Sequence, residues 1–221
     1  MAGFQRARSD EQREVRRRAI LDAAAAMLAE MPVSEVTLTE HSRRSGLAKS
    51  NVLRYFDSRE AVLLELLERA SREWLAALGP ALAPLGSGLP VAARREDLAG
   101  TLAASLASRP VLCDLLSAQA AVLERNVSPQ VAARFKRALL ELGELFTAEV
   151  RAVLPELTAA AAYQFVAAVM LLTGAVWAAG QPSAAMVAAY EADAELAALR
   201  MDVWPTLREL FAVLLTGLLA R

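Results

Sequence analysis

The sequence contains little of the chemistry that enzymes use. Among 221 residues there is one cysteine, Cys113, and one histidine, His41. One cysteine excludes an intrachain disulfide, and the two residues together cannot supply the ligands of a cysteine–histidine zinc site. The sequence also lacks a glycine-rich phosphate-binding loop and a Gly-x-Ser-x-Gly nucleophile motif. We therefore expect a protein that is not an enzyme and that uses no cofactor and no metal.

β-Branched and chain-breaking residues are scarce as well. Ile20 is the only isoleucine, and there are only 10 glycines and 9 prolines. Alanine and leucine dominate a composition that is 56% hydrophobic. Because these residues are good helix formers, and because strands favour β-branched side chains, the composition predicts an all-α fold. The polar residues at positions 1–10 do not resemble a secretory signal, so we expect a cytoplasmic protein.

Charged residues are absent from one long stretch, Leu157–Tyr190, which is long enough to cross a bilayer. Alanine fills much of it, several polar residues interrupt it, and Pro182 divides it. No cluster of lysine or arginine flanks the stretch, as would be typical of a membrane span. It therefore predicts a helix buried on all sides in a core or a subunit interface, and no membrane contact.

The net charge of −1 conceals an uneven distribution along the chain. Residues 1–59 contain 11 Lys/Arg against 8 Asp/Glu, whereas residues 60–221 contain 13 against 17. A basic head on an acidic body suits a protein that binds nucleic acid at one end. The first ten residues, which include Arg6 and Arg8, are interpreted as a mobile arm.

The most informative pattern lies in the basic head. A capping box at Thr37–Glu40 predicts the start of one short helix, and Gly46 predicts its end. A second short helix is predicted over 48–56, and another capping box at Asp57–Glu60 begins a longer helix. Two short helices joined by a tight turn are typical of a helix-turn-helix.

The second short helix is amphipathic. On a helical wheel Val52 and Phe56 share one face, where they can anchor the helix to its neighbours. The opposite face carries polar and aromatic residues, Ser50, Asn51, Arg54 and Tyr55. Such a face is small enough to enter a major groove and rich in donors for bases and phosphates.

The stretch Thr37–Leu63, which reads TLTEHSRRSGLAKSNVLRYFDSREAVL, resembles the DNA-binding module of the TetR family of bacterial transcriptional regulators. The residues that agree with the family pattern are Gly46, Leu47, Lys49, Tyr55, Phe56, Ser58, Arg59 and Glu60. Leu53 departs from the pattern, because the family typically has a tyrosine there. The resemblance implies a three-helix helix-turn-helix DNA-binding domain over residues 1–60. It also implies a helical ligand-sensing and dimerisation domain over 61–221, with a fourth helix at 58–78 as the connector.

The resemblance also implies double-stranded operator DNA as the partner, with the third helix in the major groove. Lys49 and Asn51 are then the first choices for reading bases, and Arg54 and Tyr55 for holding phosphates. The implied DNA-contacting residues are Thr37, Thr39, Arg43, Arg44, Lys49, Ser50, Asn51, Arg54, Tyr55, Ser58 and Arg59.

By the same resemblance, the C-terminal domain binds a small apolar effector and forms a homodimer. The candidate ligand-binding residues are Cys113, Phe135, Phe146, Tyr163, Gln164, Met170, Thr173 and Trp177. The helices predicted at 157–179 and 205–219 are the candidates for a four-helix dimer interface. The expected function is a repressor that a small lipophilic ligand releases from its operator. A ligand-independent dimeric DNA-binding protein remains the alternative.

Overall fold

The computed structural model of the protein describes residues 2–45, 48–86 and 88–221, without the side chains of 2–10, 41, 45 and 86. About 81% of the residues are helical, and the described residues contain no strand. The all-α fold predicted from the composition is therefore confirmed. The turn predicted at Gly46 and the side chain of His41 lie outside the described parts.

Eleven α-helices follow one another along the described chain. They are α1 (Ala2–Leu28), α2 (Leu38–Ser45), α3 (Lys49–Leu53), α4 (Arg59–Leu82), α5 (Val91–Ala107), α6 (Pro110–Ala118), α7 (Pro129–Val153), α8 (Ala159–Ala179), α9 (Ala184–Ala192), α10 (Ala194–Ala197) and α11 (Val203–Leu219). Short 3₁₀ turns lie at Val33–Glu35 and Ala83–Gly86, and a π turn at Gln119–Leu123 follows α6 directly.

The chain divides into two compact units. The N-terminal unit comprises Met1–Arg69 together with Ala118–Arg137, and the C-terminal unit comprises Ala70–Ser117 together with Ala138–Arg221. In the N-terminal unit α2 packs against both α1 and α3. Its buried side chains are apolar and include Ile20, Ala24, Met27, Val33, Val36, Val52, Phe56, Val62, Leu63 and Leu66.

In the C-terminal unit α11 packs against both α5 and α8. The aromatic rings of Phe165 on α8 and Phe211 on α11 meet edge to face, with their centroids 6.1 Å apart. Gly174 of α8 lies against the backbone of α6. A Cβ atom at this position would come within 2.8 Å of the carbonyl oxygen of Leu116, so only glycine allows this helix contact.

The outward side of α8 accounts for the long uncharged stretch in the sequence. The helix buries seven of its residues on one side, whereas Leu171 is 73% exposed on the other. In a single chain α8 is therefore buried on one side only, not on all sides. By length and composition alone α8 passes as a candidate membrane span, a test that core helices of soluble proteins also pass.

Several helix boundaries differ from those that the sequence predicts. α1 begins at Ala2, so the residues interpreted as a mobile arm are helical in backbone. The segment 183–199, which an uninterrupted helical composition predicts to be one helix, is divided in two at Asp193. There the carboxylate accepts a hydrogen bond of 2.8 Å from the backbone N–H of Glu195 and caps a new helix, α10.

Candidate nucleic-acid interface

The position of α3 is fixed by its buried face. Val52 is fully buried and Phe56, just beyond the helix, is 4% exposed. The residues at the start of α3 are exposed, and they include two that are predicted to read bases, Lys49 and Asn51. The predicted amphipathic pattern is therefore present over 49–53. The helix ends at Leu53 and not at 56 as predicted, so that Phe56 is buried just beyond it and Tyr55 is half-buried.

The hydroxyl groups around α3 cap the neighbouring helices. Thr37 Oγ1 accepts a hydrogen bond of 3.1 Å from the N–H of Glu40 at the start of α2. Ser58 Oγ does the same for the N–H of Ala61 at the start of α4, also at 3.1 Å. Because a hydroxyl group can accept and donate at once, both side chains retain a proton for a phosphate oxygen. Thr39 is exposed beside Thr37.

Glu40 holds both arginines of α2. Its carboxylate accepts hydrogen bonds from Arg43 at 2.7 Å and from Arg44 at 2.6 Å, and Arg44 also pairs with Glu30 at 2.5 Å. The hydrogen bonds from Arg43 and Arg44 lower the pKa of Glu40 to about 2. Glu40 therefore neutralises part of the charge that these arginines can offer to a phosphate, and it occupies some of their donors.

We expect that Glu40→Gln increases non-specific affinity for DNA. The change releases Arg43 and Arg44, and each new phosphate contact adds about 0.9 to the slope of log K against log[salt]. Fluorescence anisotropy with a random-sequence duplex over a range of salt concentrations measures both quantities. Glu35→Gln is the matched control, because it removes one exposed carboxylate from the same unit. An identical change in both variants would mean that only net charge matters.

Arg59 is more buried than a predicted DNA-contacting residue should be. Its guanidinium donates hydrogen bonds to the backbone carbonyls of Val33 and Val36, and it also pairs with Glu60 at 3.2 Å. The side chain is only 18% exposed. In this structure Arg59 attaches the start of α4 to the 3₁₀ turn before α2. Its predicted contact with DNA would require these hydrogen bonds to break.

An open groove beside α3 was missed by the sequence analysis. It has a volume of about 920 Å³, and Arg13 and Arg16 of α1 line it together with Arg54 and Tyr55. Arg54 and Tyr55 are predicted phosphate contacts, so the groove continues the candidate DNA surface onto α1. The spacing of Arg13 and Arg16, three residues apart on a helix, was the available signal.

The candidate ligand-binding residues are scattered. Phe135 belongs to the N-terminal unit, whereas the other seven belong to the C-terminal unit. Tyr163 and Gln164 are exposed, and Met170 and Trp177 are half-buried. Thr173 is buried, but its hydroxyl donates to the carbonyl of Val169 at 2.7 Å within α8. A surface cavity of about 330 Å³ in this unit is lined by different residues, among them Glu96 and Trp204.

Cys113 is buried and unreactive. Its S–H group donates to the carbonyl of Leu106 at 3.2 Å. Burial raises the pKa of the thiol to about 12. Because the thiolate is the reactive form, Cys113 acts as a small apolar core residue in this fold.

Comparison with known proteins identifies the family. Residues 20–66 match the family model described as bacterial regulatory proteins, tetR family, and residues 68–221 match the model described as tetracyclin repressor-like, C-terminal domain. No curated protein shows significant similarity to the chain.

Solved structures that match the chain include the TetR family repressor AlkX from Dietzia sp., implicated in biodegradation of n-alkanes. It is 16% identical, with a TM-score of 0.49, and the alignment covers 92% of this chain and 96% of that one. A protein from Mesorhizobium loti, assigned to the TetR family of transcriptional regulators, is 14% identical with a TM-score of 0.56, over 94% and 96% of the two chains. With its helix-turn-helix unit and its helical C-terminal unit, the chain is a member of the TetR family of DNA-binding transcriptional regulators.

Proposed function

We propose that the protein is a cytoplasmic, homodimeric repressor that leaves its operator when a small apolar ligand binds to the C-terminal unit. It acts by binding and not by catalysis. The observation that carries the proposal is the polar face of α3, which is exposed from Lys49 to Asn51 while Val52 is fully buried behind it. A short helix anchored in this way can enter a major groove with its N-terminal residues towards the base edges.

Asn51 is the residue that we expect to read a base. A carboxamide can form two hydrogen bonds with adenine, so Asn51→Ala should cost about 1–3 kcal/mol of binding free energy on the preferred duplex. The duplex is obtained by selection with the wild-type protein from a random-sequence pool, and affinity is measured by fluorescence anisotropy. Asn126→Ala, at an exposed asparagine outside α3, is the matched control. An unchanged affinity of the Asn51 variant would remove this residue from the base-reading set.

A dimer is supported by the apolar surface of two packed helices. α8 and α11 lie against each other, and each retains an exposed side. On α8 that side carries Tyr163, Ala167, Leu171 and Ala175 at four-residue steps, and on α11 Val213 is 63% exposed. Two copies joined here would form a four-helix bundle. Joining two N-terminal units in a dimer makes the second binding event intramolecular. A single short helix contacts too few bases to bind DNA tightly without this gain.

A ligand site is supported by the interior of the C-terminal unit. Trp74 of α4 packs edge-on against Phe146, with ring centroids 5.0 Å apart, and its N–H group donates to Ser105 Oγ at 3.1 Å. One turn earlier, Ser71 is 3% exposed, and its hydroxyl has no hydrogen-bond partner in the described part of the chain. An unsatisfied buried hydroxyl can bond the one polar group of a mostly apolar ligand.

Release from DNA then requires a population shift. A ligand that binds one arrangement of the C-terminal helices more tightly favours that arrangement. The distance between the two α3 helices of the dimer then changes with it. A ligand with equal affinity for both arrangements could not release DNA, however tightly it bound.

Selection from a random duplex pool tests the operator, and a thermal shift tests the ligand. We expect the selected duplexes to contain two half-sites about 34–36 Å apart, or a multiple of that distance. We also expect some apolar compounds to raise the melting temperature and to release the duplex. If none of them shifts the melting temperature, the ligand-independent dimer is the better description. If no sequence is enriched, the proposal that α3 reads a DNA sequence is wrong.

A further inference from the structure

Three consecutive arginines of α1 occupy very different environments. Arg16 and Arg18 are exposed, whereas the side chain of Arg17 is only 20% exposed and turns into the N-terminal unit. Its Nη1 donates a hydrogen bond of 2.5 Å to the backbone carbonyl of Tyr55. Its guanidinium also lies over the ring of Phe56, 4.3 Å from the centroid. One side chain of α1 therefore holds Tyr55 and Phe56, two and three residues beyond the end of α3.

Arg17 is itself held by α4. Its other terminal nitrogen donates to the carboxylate of Glu65, whose side chain is 16% exposed. The same carboxylate oxygen accepts a hydrogen bond from Arg134, in the first part of α7. Because a planar guanidinium has donors in a fixed fork, binding to Glu65 orients Arg17 towards the carbonyl of Tyr55.

The start of α7 is attached to the same region at a second point. Ser128 donates a hydrogen bond of 2.9 Å to Asp57 Oδ2, one residue after Phe56. Ser128 and Arg134 both belong to the N-terminal unit, as do Arg17, Asp57 and Glu65. The segment that follows α3 therefore has polar attachments to α1 and α7.

We propose that Arg17 and Glu65 are positioning residues that determine operator specificity without contacting DNA. α3 has only five residues, and a helix of that length is not stable by itself, so its orientation depends on what holds its ends. Arg17 holds Tyr55 and Phe56 just beyond the C-terminal end of α3, and Glu65 holds Arg17. The proposal rests on the proposed reading of DNA by α3, since only then does its orientation select a sequence.

The arginine run supplies its own controls. The variants Arg16→Ala, Arg17→Ala and Arg18→Ala are compared by anisotropy on two probes, the selected duplex and a scrambled duplex of equal length and composition. Each measurement is repeated over a range of salt concentrations. The ratio of the two affinities reports specificity, and the salt slope reports the number of phosphate contacts.

We expect Arg17→Ala to lower the affinity ratio by about ten- to a hundredfold, the loss associated with hydrogen bonds to a charged group. Its salt slope should stay at the wild-type value, because no phosphate contact is lost. Arg16→Ala should instead lower the slope by about one and keep the ratio, since Arg16 lines the groove with Arg54. Arg18→Ala should change neither quantity. Arg17→Lys should not restore the ratio, because an ammonium group cannot reproduce the guanidinium fork.

Glu65→Gln keeps the test valid if Arg17→Ala does not fold, as judged by circular dichroism and thermal melting. This substitution removes a negative charge from the N-terminal unit, so an effect of charge alone would strengthen binding to both duplexes. Positioning predicts a lower affinity ratio, with binding to the scrambled duplex no weaker than in the wild type. An unchanged ratio in folded Arg17→Ala or Glu65→Gln, or a lower salt slope in Arg17→Ala, would overturn the proposal. Failure of the wild-type protein to select any duplex would instead contradict the proposed function.

Discussion

Leu171→Glu is expected to lower the affinity for the selected duplex by about two to four orders of magnitude, the avidity that a second linked site contributes. Leu171 is 73% exposed in the middle of the uncharged outer side of α8. In a dimer built on this side, two carboxylates would be buried near each other without partners, which strongly disfavours association. The N-terminal unit does not contain this residue, so each separate monomer should keep its helix-turn-helix fold.

Sedimentation velocity measures the oligomeric state of the variant, and anisotropy measures its DNA affinity. Leu199→Glu is the matched control, because Leu199 is 69% exposed but lies outside α8 and α11. We expect this control to remain dimeric and to bind normally. A Leu171 variant that stays dimeric at the wild-type concentration would place the dimer interface elsewhere.

Gly174→Val is expected to destabilise the protein by about 3 kcal/mol, the upper end of the range for overpacked cores. In most helix interiors a change from glycine to another residue is favourable or neutral, because glycine is a poor helix former. At Gly174, however, the new Cβ would come within 2.8 Å of the carbonyl oxygen of Leu116, and backbone cannot move aside as a flexible side chain can. For a chain of this length, the melting temperature should fall by roughly 6–12 °C.

Gly100→Val provides the comparison. Gly100 lies within α5, and the nearest atom to an added Cβ is Nε of Arg208, at 3.9 Å. We expect a change of less than about 0.5 kcal/mol at this position. Differential scanning calorimetry of the two variants and the wild type measures the difference. Equal stabilities of the Gly100 and Gly174 variants would mean that α8 and α6 separate without cost.

The sequence predicts best the features that depend on local periodicity. Val52 and Phe56 were assigned to the buried face of a helix over 48–56 from their spacing alone, and both are buried, although α3 ends at Leu53 and only Val52 belongs to it. A helix start that depends on one capping side chain was also predictable at Thr37, whereas the cap of α4 is Ser58, one residue after the first residue of the predicted capping box. These features require only the geometry of a single helix, which the order of residues contains.

Features that depend on distant partners could not be predicted in the same way. Arg16, Arg17 and Arg18 are identical in type, and only the approach of Tyr55 and Glu65, 38 and 48 residues away, distinguishes the middle one. The close approach of Gly174 to α6 likewise has no local signal. Sequence patterns report burial, whereas the partner of a polar group depends on tertiary structure.

The low reactivity of the Cys113 thiol makes it possible to label the protein at another site. Burial raises the pKa of the thiol to about 12, so the side chain is almost entirely in the unreactive thiol form near pH 7. A second cysteine introduced at an exposed position would therefore react with a spin label or fluorophore while the native one stays unmodified. Distances measured between such labels in the two chains of a dimer would report the separation of their α3 helices directly, with the native core left intact.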